Sequence, residues 1–169
     1  PLEWEARLEK LKDTTLESDM KRAVEMFARR AGARPSGFAA PGWRTGYMSL
    51  RIQDEMRFKY CSDTFGLYPY LPRISWKTFS TVQIPSTLPP VESVLKGLNS
   101  QEIRSALSAL KGQLRDGLNV LPINAILAAG SDCFAAINVF FRECIDEGVK
   151  FAGLDTVALN LDRNLLTEC

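Results

Sequence analysis

The 169 residues suffice for one domain with a real hydrophobic core and are too few for two of ordinary size. With 46% hydrophobic and 24% charged residues, the chain reads as a soluble globular protein and not as a disordered one. Its 21 basic and 20 acidic residues nearly cancel, so no electrostatic footprint for nucleic acid or an anionic membrane stands out, and it contains no histidine.

The start, Pro1-Leu2-Glu3-Trp4, lacks the basic and apolar regions of a signal peptide and reads as a cut or processed terminus. Thr14 with Glu17 forms a T-x-x-E capping box for a first helix, on which Leu16, Met20, Ala23, Val24, Phe27 and Ala31 repeat at helical spacing until Gly32 stops it. Pro35 to Ala40 is a short strand ending in the Pro41-Gly42 break. Gly46 to Met56 fits a second helix with Leu50 and Ile52 inward, and Phe58 to Ser62 alternates as a strand. Residues 64–90 are rich in proline and aromatics, and read as a long loop around one strand, Thr81 to Ile84.

Ser100 caps a helix carrying Ile103, Ala106, Leu107, Leu110 and Leu114, closed by Gly117. Asn119 to Leu127 reads as a buried strand. The apolar run Leu118 to Ala129 is broken by Asn119, Pro122 and Asn124, so it is no membrane span. Ser131 or Asp132 caps a helix reaching Glu147, with Phe134, Ile137, Phe141, Cys144 and Ile145 on one side. Gly148 ends it, Val149 to Ala152 begins a last strand, and Asp155 to Leu166 forms a closing helix. This alternation predicts an α/β fold with a parallel sheet or barrel built from βα units, without internal repeats.

Cys61, Cys133, Cys144 and Cys169 form no C-x-x-C pair and have no histidine with which to complete a zinc set. They fit small buried thiols in a reducing compartment, with a disulfide as the alternative. Cys133 and Cys144 lie three turns apart and share a helix face. Without histidine, no serine or cysteine can be activated as the nucleophile of a triad, and no phosphate-binding glycine motif is present.

Three segments in order, Phe38-x-Ala40-Pro41-Gly42-Trp43-Arg44, Phe58-Lys59-Tyr60-Cys61-Ser62-Asp63 and Val82-Gln83-Ile84-Pro85-x-Thr87-Leu88-Pro89, resemble successive segments of the polysaccharide deacetylase (NodB-homology) family. Val120-Leu121-Pro122-Ile123-Asn124-Ala125 is similar to the family's late strand, and Glu147-Gly148-Val149-Lys150-Phe151 to the passage after it. The likeness points to the branch that deformylates 4-deoxy-4-formamido-arabinose linked to undecaprenyl phosphate. It implies that residues 1–169 are a single partial domain, the C-terminal portion of a distorted (β/α) barrel, with the site at the C-terminal strand ends. Family members hydrolyse a sugar amide with a divalent metal such as zinc, held by an aspartate and an H-x-x-x-H pair, a second aspartate as base and a late histidine as acid. The ligand-bearing segments would precede Pro1, so no metal is expected in this chain.

The resemblance also implies roles for individual residues. Asn124 stands where the acid histidine falls, and an amide cannot donate a proton as an imidazolium does; alternatively it is a buried polar residue satisfied by backbone. Arg44 matches an arginine of the deformylase branch that orients a carboxylate or holds a sugar-lipid phosphate, with a surface salt bridge as its plainer role. Ala39 stands where the usual deacetylase pattern has an arginine. Asp63, at a strand end, orients a catalytic group or else caps a turn. Trp43, Tyr68, Tyr70 and Trp76 stack on sugar rings or pack the loop.

The expected function is therefore a carbohydrate N-deacylase-like domain, truncated or degenerate, with a non-catalytic carbohydrate-binding or interaction module as the alternative. An unrelated α/β domain is the third reading. A sugar or lipid-linked sugar is the implied partner, and nucleic acid is not one. The implied location is cytoplasmic, extending to the periphery of the inner membrane. A barrel lacking its first strands would also associate through exposed sheet edges.

Overall fold

The computed structural model describes residues 13–124 and 131–169, whose regular elements are helices and strands of two residues each. In chain order the elements are α1 (Asp13–Ala31), β1 (Gly37–Phe38), α2 (Tyr47–Glu55), β2 (Tyr60–Cys61), β3 (Tyr70–Leu71), β4 (Arg73–Ile74), β5 (Lys77–Thr78), β6 (Val82–Gln83), α3 (Val91–Leu95), α4 (Ser100–Lys111), α5 (Ser131–Asp146), α6 (Leu154–Asn160) and β7 (Thr167–Glu168). After β2 the strands run consecutively to β6 and are followed, among the described residues, by four helices, where the sequence predicts alternation. The elements fall into two compact units, one of residues up to Pro85 with Gly153–Cys169, the other Ser86–Ala152. The α/β class read from the sequence is what the chain adopts.

In the first unit a five-stranded sheet runs in the order β1-β2-β6-β3-β7. β1, β2 and β6 are parallel, in register at Gly37↔Tyr60 and Cys61↔Gln83. β3 is antiparallel to β6, and β7 is parallel to β3. Gly37 is required at its rung, because a Cβ there would lie on the ring carbons of Tyr60. Leu16 and Met20 of α1, one turn apart, pack with Ala40, Ile52, Phe58 and Cys61 in the core, and Val24 extends this stripe. The apolar stripe is narrower than its spacing suggests, since Ala23, Phe27 and Ala31 are exposed. Thr14 is not the cap either, because the helix already includes Asp13; Glu17 instead pairs with Lys21 one turn on, at 2.6 Å.

α2 begins after Gly46, whose N–H donates to Ser49 Oγ at 2.8 Å, and Leu50 and Ile52 face inward as expected. Residues 64–90 hold more structure than one strand. β4 and β5 form a hairpin whose turn has Ser75 at a φ of 57°, β3 joins the main sheet, and α3 follows soon after Pro90. Two-residue strands have too little periodicity to be read from sequence.

In the second unit α4 packs on α5 around Ile103, Leu107, Leu110, Ile137, Phe140 and Cys144. The cap of α4 is Asn99 and not Ser100. Its side chain accepts from Gln101 and Glu102 N–H, while Glu102 returns to the Asn99 N–H at 2.8 Å. The helix ends at Lys111 before Gly112, short of Gly117. On α5, Phe134 and Ile145 are exposed, sitting about 100° round the helix from the buried Ile137–Phe140–Cys144 stripe. The side chains of Ser131 and Asp132, read as caps, lie outside those described.

Residues 119–124 are not a strand. Val120 O instead accepts from both Thr87 N (3.1 Å) and Leu88 N (3.2 Å), a pinch that replaces a ladder. Residues 125–127 of that predicted strand lie outside the described ones. Val149–Ala152 is also irregular: Gly148, at a φ of 89°, turns the chain, and Phe151 packs edge-on to Phe141 at 5.1 Å. The predicted closing helix is divided into α6, a tight turn at Arg163–Leu165 where Asp162 accepts from Asn164 N, and the unforeseen β7. All four cysteines are free, so no disulfide forms. Among the described residues no helix is long and apolar enough to cross a membrane.

Candidate functional site

The C-terminal ends of β1 and β2 lead to Ala40 and Asp63, which lie side by side. Asp63 is fully buried, and its Oδ1 accepts the Ala40 N–H at 2.6 Å. Its Oδ2 accepts from Gln53 Nε2 on α2 at 2.6 Å and from Gln83 Nε2 on β6 at 3.1 Å. Burial pushes the Asp63 carboxyl above the ordinary carboxylate range, and these three donors pull it partly back. The partners are ten to twenty-three residues away, so the carboxylate clamps three strands and a helix and does not cap a local turn.

From Ala40 the chain enters a turn at Pro41–Trp43. Gly42 and Trp43 both have positive φ, 65° and 52°, and Trp43 N–H returns to Ala40 O at 3.1 Å. The left-handed conformation is costly for tryptophan. It is held by the bond to Ala40 and by stacking on Phe65 at 4.6 Å. Arg44 follows the turn and is exposed. Phe65 is itself a wall of a groove of about 480 Å³, lined also by Thr45, Tyr68, Tyr70, Arg73 and Thr167. Tyr70 shares a 3.0 Å hydrogen bond with Thr64, and burial raises its pKa. Tyr68 is 76% exposed, leaving a ring face open to solvent.

The structure thus brings Tyr68 and Tyr70 to one groove with Phe65, while Trp43 stacks on Phe65 without lining the groove itself. Trp76 stands apart at the β4–β5 turn, 90% exposed and outside the groove lining. Asn124 belongs to the second unit, where it is exposed and its N–H donates to Glu92 Oε2 at 3.3 Å; it is not a buried polar residue. Sequence reading passed over Gln53 and Gln83. Their signal was an amide on the inward face of α2 and another between the core residues Val82 and Ile84.

The metal that the family resemblance implies does not fit the described residues. Among the described residues no three His, Cys, Asp or Glu side chains are grouped to hold an ion. Asp63 is surrounded by neutral amide donors and not by further ligands.

No family model matches the chain. A protein of Wigglesworthia glossinidia brevipalpis, assigned as a 4-deoxy-4-formamido-L-arabinose-phosphoundecaprenol deformylase, is 32% identical over 124 residues, 69% of this chain. A crystal structure from Mycobacterium smegmatis, assigned as a polysaccharide deacetylase, superposes with a TM-score of 0.74 over 93% of this chain at 22% identity. The chain spans 41% of the length of the first and 59% of the second. Sequence likeness, with the fold shared, places the chain in the polysaccharide deacetylase (NodB-homology) family.

Proposed function

We propose that the chain is the sugar-recognising part of a carbohydrate N-deacylase of the deformylase branch, and that residues 1–169 belong to one such domain. The observation that carries this reading is the turn at Pro41–Trp43, seated on Asp63 and stacked against the wall of the tyrosine-lined groove. The open face of Tyr68 suits the apolar face of a sugar ring, and the Tyr70 and Thr45 hydroxyls suit its hydroxyl groups. In this reading Arg44 supplies a guanidinium for the phosphate of a lipid-linked sugar, and Trp76 offers a second stacking surface. Asp63 is a positioning residue that fixes Ala40 and, through it, the turn. Asn124 occupies the acid position without an acid's chemistry. Cytoplasmic placement at the membrane periphery, and association through the outer strands β1 and β7, belong to the same proposal.

A ¹⁵N NMR titration with the methyl glycoside of 4-formamido-4-deoxy-arabinose tests it. Shifts should concentrate at the Trp43 indole and around Tyr68 and Tyr70, and Tyr68→Ala should weaken binding at least fivefold, about 1 kcal/mol. The same response to glucose, or none to either sugar, would defeat the reading.

The absence of any histidine favours a second reading, a carbohydrate-binding or interaction module without catalysis. Formate release from the formamido sugar, measured with and without added divalent metal, separates the two. Turnover above the blank identifies the enzyme, and binding without release identifies the module.

A further inference from the structure

We infer that the end of the sheet opposite Asp63 carries a separate site for a phosphoryl anion. β2 and β6 are parallel, so Lys59, just before β2, and Ser80, just before β6, lie at the N-terminal ends of the same strands whose C-terminal side leads to Asp63. A groove of about 410 Å³ opens there, and Arg57, Lys59 and Arg163 all line it. Its acidic member, Asp54, is already engaged, accepting Ser80 N–H at 2.9 Å and Thr81 N–H at 2.8 Å. Arg163 Nη2 donates to Ser80 O at 3.0 Å, which fixes its guanidinium at the rim. Among the described residues neither Arg57 nor Lys59 is in an ion pair. Three cations outnumber the one carboxylate and leave the groove net positive, while the chain as a whole is close to neutral.

The backbone at Arg57 supplies an independent observation. It follows the last turn of α2 with a φ of 56°, its N–H bonded to Asp54 O at 3.0 Å. A left-handed residue after a helix is ordinarily glycine, which adopts it without strain. Here the chain carries a long cation instead. Attraction to the helix C-terminus explains a cation at this position. It does not explain Lys59 and Arg163, which face the same groove from other elements. Guanidinium and ammonium groups around an open cleft suit tetrahedral oxyanions, either of a free phosphate ester or diphosphate or of a lipid headgroup.

The test uses the full 169-residue chain with pyrophosphate as probe, followed by ¹⁵N NMR, and co-sedimentation with phosphatidylglycerol against phosphatidylcholine vesicles. Pyrophosphate should shift amides near Arg57, Lys59 and Ser80, with affinity falling as salt rises. Arg57→Gly with Lys59→Gln should weaken it at least tenfold, while Arg22→Gln with Arg29→Gln, which removes the same charge from α1, should change it less than twofold. Arg57→Gly relieves the backbone, so the loss cannot be laid to unfolding; its melting temperature should not fall. Binding to pyrophosphate alone assigns a free phosphate ligand, and binding to pyrophosphate and to phosphatidylglycerol assigns a headgroup. No pyrophosphate binding, or equal loss in both double variants, overturns the site.

Discussion

Asp63 and Gln83 hold each other twice: the Asp63 N–H donates to Gln83 Oε1, and Gln83 Nε2 returns to Asp63 Oδ2, both at 3.1 Å. With Gln53 and Ala40 also donating, the carboxylate meets only donors, so Asp63→Asn sets an NH₂ against N–H groups. A buried donor left without an acceptor costs about 2 kcal/mol. Denaturant titration of Asp63→Asn should show that loss, and near-UV circular dichroism should report a shifted Trp43. Unchanged stability would mean that the network is not the clamp described.

The same carboxyl makes stability depend on pH in a defined direction. Burial raises its folded pKa above the unfolded value of about 3.9, so the folded state holds the proton more tightly. Its contribution is fully present below the unfolded value and is lost as pH rises through the higher folded one. Carboxyl ¹³C titration should place the Asp63 midpoint higher in the folded chain than in urea. In unfolding curves collected across that window, Asp63→Asn should lack the wild-type slope.

Gly42 lies at a φ of 65°, where a Cβ crowds the following carbonyl. Gly42→Ala should cost about 1 kcal/mol of stability. It should also weaken sugar binding, because the turn it distorts presents Trp43. Thermal melts and the sugar titration read the two effects separately.

In the second unit Lys111 Nζ bridges Glu143 at 3.0 Å and Glu147 at 2.7 Å, and those carboxylates raise its pKa. The bridge is at the surface, so Lys111→Ala should lower stability only slightly, and less so in high salt. Phe140, 4% exposed between α4 and α5, is different in scale: Phe140→Ala should cost about 3–5 kcal/mol. If the two variants lose similar stability, burial is not what holds these helices together.

The long amphipathic elements were legible because their chemistry repeats: Leu16–Met20–Val24 and Ile103–Leu107–Leu110 each mark a buried stripe. The strands were legible as hydrophobic clusters but not as ranges, since two residues per strand leave little alternation to count. Asn99 was hidden beside Ser100, an equally good cap, and the deciding partner, Glu102, sits three residues after Asn99. At the site, Asp63 was visible as a strand-end acid. Its partners were not, because Gln53 and Gln83 come from elements ten and twenty residues away and meet only after β2 and β6 pair. Phe65 was likewise invisible as the bridge between Trp43 and the tyrosines.

Gly37 and Tyr60 occupy one volume between them, the ring of one filling the space a side chain of the other would need. Their tolerances are therefore conditional on each other. In a library randomised at both positions and sorted for folded chains, residues larger than glycine at 37 should survive only in clones that carry a small residue at 60. Single-site scans would score position 37 as immutable, whereas the pair would show epistasis of the kind that lets a sheet change its packing in two steps but not in one.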